Sequence, residues 1–409
     1  MMMELPYAVT TIIKSLNEAG YEAFAVGGCV RDSLLLRTPG DWDITTQATP
    51  EEVKRIFKRT VDTGIQHGTV TVLIDKEGFE VTTYRVDGEY EDGRHPKEVS
   101  FTASLREDLR RRDFTINAMA YHPDTGLVDL FDGIGDLEKK RICCVGDARE
   151  RFTEDALRIL RAARFGAQLG FSIEEKTRKA MRTLAQRLSM VSVERIYTEF
   201  RKLMETDYPE YLFITVDTKV FEVILPELAG RMAQEEVRER LLAQLKNSPK
   251  ELYVRLALLF DACLDVPQEE KKDATGKLLR RLKTDRETIE IVKTLVSLAQ
   301  EELPAEELAI RQFLSRYGEA MLGRFLMMRE VNSGKSFGEQ RLLASRIMQR
   351  GDCVTVKGLA ISGAEVMDLG VKQGRKVGEI LNRLLNEVLK TPELNEKTRL
   401  VEMVKQWIE

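Results

Sequence analysis

A doubled glycine followed by a charged, helix-forming run, Gly27-Gly28-Cys29-Val30-Arg31-Asp32, is the strongest constraint on how this chain folds. It joins an apolar strand pattern (Ala23 to Val26) to a helix pattern (Val30 to Leu36), so the chain turns where bare backbone N–H groups meet a helix N-terminus. Arg31 adds a fixed positive charge at that point, and the element suits an anion. Asp41-Trp42-Asp43 then opens a second β-like stretch, Trp42 to Thr46. Side chains two apart on a strand point the same way, which sets both aspartates on one face, roughly 7 Å apart. Alone, the first run is usually a plain turn and the second usually a solvated loop or a cap. In this order, about a dozen residues apart, they form a phosphate cradle beside paired carboxylates. Such carboxylates grip divalent ions against a triphosphate, one ion activating a hydroxyl and the other clamping phosphate oxygens, which is nucleotidyl transfer chemistry.

At 409 residues the chain exceeds one ordinary core, and two to four domains are expected. Residues 1 to about 137 mix short β-rich runs (Thr69 to Ile74, Phe79 to Tyr84, Val128 to Phe131) with helices, whereas from about residue 149 apolar residues recur three and four apart. The fold class is therefore α+β, a small mixed sheet followed by a long helical remainder. A composition break at Asp265 to Thr275 marks the start of a second helical unit. No apolar run approaches the ~20 residues that cross a bilayer, and Met1 to Thr10 lacks a signal-peptide pattern. Cytoplasm is the default location. Five cysteines without C-x-x-C spacing read as reduced thiols. The three histidines end at His122, so a histidine-and-aspartate phosphohydrolase domain is excluded from the C-terminal two-thirds. A net charge of −4 argues against wholesale coating of nucleic acid but leaves room for a local basic groove.

Further motifs carry chemistry. Arg111-Arg112-Asp113-Phe114-Thr115-Ile116-Asn117 reads either as a charged loop capping a helix or as arginines facing phosphates, with Asp113 and Asn117 near a ribose. Glu154-Asp155-Ala156-Leu157-Arg158-Ile159-Leu160-Arg161 reads as one helix on which Asp155 and Arg158 share a face and Glu154 steadies the guanidinium. Such charges are usually a solvated ion-pair face, yet the pair also matches the pairing edges of two bases. Asp155 accepts from the exocyclic amine of cytosine or adenine, and Arg158 donates to cytosine O2 and N3 or to adenine N1. Uracil and guanine put an oxygen where the amine should be, and the carboxylate repels it. Arg85 to Pro96, polar and containing Asp87, Asp92, Gly93 and Arg94, reads as a mobile loop. Asp129 to Leu137 reads as a strand, a turn and a hinge, and Glu80 is the candidate third metal carboxylate.

These motifs in this order resemble the class II tRNA nucleotidyltransferases, the bacterial tRNA nucleotidyltransferase and poly(A) polymerase family of the DNA polymerase beta superfamily. Ser192-Val193-Glu194-Arg195-Ile196 adds a fifth, and the match runs from Gly27 to about Met204. The resemblance implies an elongated arrangement of a catalytic head (1–137), a neck that recognises the base (138–205), a body (206–320) and a tail that binds tRNA (321–409). It implies addition of C, C and A to tRNA 3′ ends from CTP and ATP with two Mg2+ ions. In those terms Asp41 and Asp43 bind metal, with Glu80 as the weaker third; Gly27, Gly28 and Arg31 hold the triphosphate. Arg111, Arg112, Asp113 and Asn117 meet sugar and phosphates, and Glu154, Asp155, Arg158 and Arg161 read the base. The Arg85–Pro96 loop matches the element needed for the final A, which favours full CCA addition over an A-adding specialist. A poly(A) polymerase is the nearest alternative, although the C-terminus lacks the basic run typical of those enzymes. An RNA chaperone with a vestigial head is the rival from another class.

For the RNA itself, Lys277, Arg280, Arg281 and Lys283 place cations on a helix whose leucines pack inward, and Gly374-Arg375-Lys376 leads a glycine turn into a helix N-terminus; each reads equally as a solvated face or a plain helix start. The acceptor and T arms of tRNA are the expected partner. No protein partner or membrane is required.

Overall fold

The computed structural model describes residues 3–87 and 99–408. Asp92, Gly93 and Arg94 of the expected loop lie outside the described residues. Two compact units emerge: Met1–Leu242 with Cys263–Asp265 and Leu278–Thr284, and Ala243–Ala262 with Val266–Lys277 and Asp285–Glu409.

The first unit holds a mixed sheet. Its strands are β1 (Ala23–Val26), β2 (Ile44–Thr46), β3 (Thr60–Gly64), β4 (Thr69–Ile74) and β5 (Glu77–Thr83); β6 (Arg85–Asp87) and β7 (Val99–Phe101) form a separate ribbon; β8 (Met119–His122) and β9 (Gly126–Asp129) complete it. The order is β3-β4-β5-β2-β1-β8-β9, antiparallel throughout except for β2 beside β5. Helix α1 (Tyr7–Glu18) buries Val9, Ile12, Ile13 and Leu16, a stripe of helical spacing. Next come α2 (Gly28–Leu34), α3 (Pro50–Ile56) with a complete Thr49–Glu52 capping box, and α4 (Leu105–Arg110). Leu109 of α4 joins Phe24, Val26, Tyr84 and Ala120 in a small core, which anchors α4 on the sheet.

The strand after β8, β9, ends in a turn that Asp129 closes. Asp129 accepts from the backbone N–H groups of Gly133 and Ile134, both at 2.8 Å, as α5 (Gly133–Glu138) begins. Gly133 has no room for a side chain, because a Cβ there would lie 2.6 Å from the Thr115 carbonyl oxygen. Beyond it the unit is helical: α6 (Ala148–Glu154), α7 (Leu157–Leu169), α8 (Glu175–Leu184) and α9 (Val193–Met204), with shorter helices after them. Ile196, Phe200, Leu203 and Met204 form the buried stripe of α9.

The second unit is all helix. One core gathers Ile361, Val366, Leu384, Val388, Leu400 and Val404. Arg311, buried to 6%, donates to the Leu389 carbonyl at 2.8 Å and pairs with Asp352 at 3.0 Å, so a buried charge is partnered. The composition break at 265–275 starts in the connector between the helices Leu252–Cys263 and Gln268–Arg281 and runs on into the second of them. It falls largely within the helix Gln268–Arg281, where its acidic and lysine-rich residues are a solvated helix face and Pro267 sits just ahead of the first turn. All five cysteines are free and buried, and no helix among the described residues is long and apolar enough to cross a membrane.

Candidate active site

Gly27 has a φ of +85°, a left-handed conformation natural to glycine. Its N–H donates to the Met119 carbonyl at 3.1 Å, which ties the turn to β8. A Cβ at this position would lie 2.9 Å from Arg112 Nη1, so the missing side chain is what lets a guanidinium rest on the turn. Asp41 and Asp43 lie ahead of their strand rather than in it, because β2 starts at Ile44; Asp43 is nevertheless tied to β1, its carbonyl accepting from Val26 N at 2.9 Å. Ile44 pairs in parallel with Val81, and one residue back on each strand sets Asp43 beside Glu80. Burial, then the charge of Asp41, pushes the Asp43 carboxyl up to about 6; Arg112 opposes the rise and Glu80 adds to it. Carboxylates crowded in this way gain from a cation. Glu80 is exposed, and among the described residues no three His, Cys, Asp or Glu side chains assemble a ready ligand set. Two carboxylates completed by phosphate oxygens suit a hard divalent cation that keeps several of its own waters.

The Arg111–Asn117 block is woven into a buried network. Arg111 donates to Asp108 Oδ1 through Nε at 2.9 Å and Nη2 at 2.7 Å, and Arg112 reaches Asp108 Oδ2 at 3.5 Å. Asp113 is 8% exposed. Its Oδ1 accepts from Phe114 N at 2.8 Å and Asn117 Nδ2 at 3.2 Å, and its Oδ2 from Arg161 Nε at 2.8 Å. Burial alone would raise the Asp113 carboxyl, but Arg161 and Arg158 outweigh it and hold the group at about 2. Arg31 donates from Nη1 to Asn117 Oδ1 at 2.6 Å and makes a two-pronged pair with Asp32 at 2.9 Å. Arg31 therefore reaches the cradle as half of an ion pair. Asp113 and Asn117, read from sequence as sugar contacts, here spend their polar atoms on organising the arginines around them.

The Glu154–Arg161 run is not one helix. Helix α6 ends at Glu154, Asp155 is extended (φ −134°, ψ 104°), and α7 starts at Leu157. Part of the cause is local: Asp155 Oδ1 accepts from Leu157 N at 3.0 Å, a side-chain bond that competes with the helical ladder. Glu154 does hold the guanidinium, with Arg158 Nη1 on Glu154 Oε2 at 2.7 Å. Arg158 Nη2 donates to the Arg111 carbonyl at 2.7 Å. Asp155 Oδ2 takes Arg195 Nη2 at 2.7 Å, so the break in the helix turns Asp155 toward α9. Arg161 bridges Asp113 at 2.6 Å and Glu199 at 3.6 Å.

Four side chains joined to this site are absent from the sequence reading. Asp108 anchors Arg111. Arg151 donates to the Arg110 carbonyl at 3.0 Å and pairs with Glu154. Glu199 takes Arg164 Nε at 2.8 Å, and Arg164 lies 3.6 Å from the centre of the Phe165 ring. The three-residue spacing Arg158, Arg161, Arg164 is the signal for the last; Glu199, four after Arg195, shares its face. The expected RNA cations are varied. Lys277 and Arg280 are exposed, Arg281 pairs with Glu227, and Lys283 pairs with Glu194 at 2.7 Å. Leu278, Leu279 and Leu282 are buried beneath them. Gly374 turns into the helix Arg375–Lys390, with Arg375 on Glu379 at 2.9 Å. Arg85 lies on β6 and donates to the His67 carbonyl.

A glycine turn, adjoining carboxylates and an arginine-rich rim on a mixed sheet define a nucleotidyltransferase head, and residues 23–143 match the Poly A polymerase head domain. Residues 170–232 match a probable RNA and SrmB-binding site of polymerase A, and 259–404 a tRNA nucleotidyltransferase domain 2. The chain belongs to the family of CCA-adding enzymes. It is 38% identical to the CCA-adding enzyme of Pediococcus pentosaceus over 96% of both chains, and 37% identical to that of Streptococcus suis over 97% of this chain and 96% of the relative. The crystal structure of the Bacillus stearothermophilus CCA-adding enzyme in complex with CTP superposes with a TM-score of 0.84 at 32% identity, covering 99% of this chain and 98% of that one.

Proposed function

We propose that this chain builds the CCA 3′ end of tRNA from CTP and ATP without a nucleic-acid template, acting in the cytoplasm. The observation that carries the reading is a glycine turn covered by Arg112, with Asp43 tied to the strand before it, beside an Arg158 that Glu154 holds and that donates to the Arg111 carbonyl.

Asp41 and Asp43, with Glu80 the weaker third, would hold two Mg2+ ions, which supply activation of the tRNA 3′-hydroxyl and screening of the triphosphate. Gly27 makes the turn and Gly28 offers its N–H group to the triphosphate, Arg112 lies over them, and Arg31 braces the turn through Asn117. Arg111, Asp113 and Asn117 shape the sugar side. Arg158 and Asp155 read the base, steadied by Glu154, Arg195 and Arg161. For cytosine or adenine the Asp155 oxygens turn part of their hydrogen bonding toward the exocyclic amine, and for uracil or guanine they meet an oxygen. The four-part division at 137, 205 and 320 assigns tRNA binding to the helical body and tail, with Lys277, Arg280, Arg375 and Lys376 as its cations. The segment Arg85–Pro96, with Asp87, serves the final A.

The test is incubation with Mg2+ and tRNA lacking its last three nucleotides, with CTP, ATP or both, and products resolved to one nucleotide. Growth by three with both and by two with CTP alone is the expected result. A long A ladder would make it a poly(A) polymerase, and extension only of tRNA ending in CC an A-adding specialist. Tight tRNA binding without any extension would leave a vestigial head.

A further inference from the structure

Asp108 has no part in the reaction as described, yet its carboxylate is fully enclosed, at 0% exposure, and sits where three parts of the site meet. Its Oδ1 takes two hydrogen bonds from Arg111, and its Oδ2 takes Thr45 Oγ1 at 3.1 Å and Arg112 at 3.5 Å. Thr45 is two residues beyond Asp43. Arg112 lies on the Gly27 turn. The Arg111 carbonyl receives Arg158 Nη2.

The neighbouring Leu109 already anchors α4 in the sheet core, so the helix does not need a buried charge to dock. An enclosed carboxylate is costly unless paired, and both guanidiniums that pair it are partly exposed, at 16% and 19%. Those arginines keep the carboxyl ionised, below its ordinary range, against the effect of burial.

We propose that Asp108 is a positioning residue that holds Arg111 on the sugar side of the site and Arg112 over the triphosphate turn and, through the Arg111 carbonyl, keeps Arg158 in register for base choice. It touches no reacting atom. Nucleotide affinity and nucleotide selection thus share one buried support, which is why the base-reading and phosphate-holding halves of the site meet at residues 110–112. The selection half of the proposal rests on Arg158 being a base reader.

The experiment is single-nucleotide addition kinetics for Asp108→Asn, Asp108→Glu, Thr45→Val and Arg158→Ala, with melting temperatures measured alongside. Asp108→Asn is expected to raise KM for both CTP and ATP about tenfold or more, the scale of losing a hydrogen bond to a charged group, and to erode the preference for CTP over UTP. Asp108→Glu restores part of both, and Thr45→Val gives a smaller change in the same direction. An Asp108→Asn enzyme that melts earlier but keeps wild-type KM and preference would overturn the proposal. Should that variant fail to fold, unchanged KM and preference in Thr45→Val and Asp108→Glu would do the same. If Arg158→Ala keeps wild-type preference, the base-reading assignment fails by itself, and the KM effect of Asp108→Asn still decides the triphosphate half.

Discussion

Replacing Asp113 by Asn keeps the shape of the side chain and removes its charge from the centre of the arginine network. In the native protein the carboxyl titrates at about 2, against an ordinary value near 4. At about 1.4 kcal/mol per pH unit that depression contributes about 2 kcal/mol of stability at neutral pH. The amide must also turn an NH2 either toward Arg161 or toward Phe114 N, both of which are donors, at about 1–3 kcal/mol more. The Asp113→Asn variant should therefore lose about 3–5 kcal/mol at pH 7. A depressed carboxyl stabilises above the unfolded value and loses that contribution as pH falls through the folded one. Between about pH 4 and 2 the native protein gives up its advantage, and about 1 kcal/mol of it is gone by pH 3. Urea unfolding in a Trp407→Phe background, where Trp42 is the remaining tryptophan and reports on the first unit, measures both quantities. The gap between the parent and its Asp113→Asn variant should narrow by that amount from pH 7 to pH 3. A gap that stays constant across this range, or no gap at pH 7, would refute the electrostatic account.

Asp41→Ala and Asp43→Ala should each reduce nucleotide incorporation at least about 1000-fold, with tRNA binding retained in a gel-shift assay; lost binding would mean that the pair is structural. Chelation of divalent metal should abolish incorporation reversibly, with Mg2+ restoring it. Gly27→Ala should cost about 1–3 kcal/mol of stability from its left-handed backbone and, because its Cβ would meet Arg112 Nη1 at 2.9 Å, raise KM for both nucleotides; a wild-type KM would show that Arg112 does not serve the triphosphate there. Arg195→Ala, which frees Asp155 Oδ2, should weaken discrimination against UTP while leaving the melting temperature within a few degrees, as read from competing CTP and UTP incorporation.

Much of the head is legible in the sequence because its signals are local. Ala23–Val26 reads as a strand and is one, since four apolar residues bounded by a glycine turn leave little choice. Glu154 holding Arg158 is readable from a four-residue spacing, which survives the break at Asp155. The break itself is not readable. The helical pattern runs straight on through Asp155-Ala156, and only the pull of Arg195 from α9, with the Asp155–Leu157 turn, sets the observed path. The start of β2 falls two residues later than the pattern predicts: an extended run marks the backbone conformation, but pairing with both β1 and β5 begins only at Ile44.

The amino-acid order by itself determined the sheet-then-helix plan, the glycine turn, the carboxylate pair and the family, because periodicity, backbone freedom and side-chain chemistry are properties of short runs. Tertiary structure alone decided what each charge does. Arg31 is spent on Asp32 and Asn117, Asp113 gathers Arg161 and Asn117 around itself, and Asp108 supports the site from within the core. The Arg31–Asn117 and Asp113–Arg161 pairings join residues 86 and 48 apart in the chain, and burial sharpens the nearer pairings as well, neither of which a local pattern encodes.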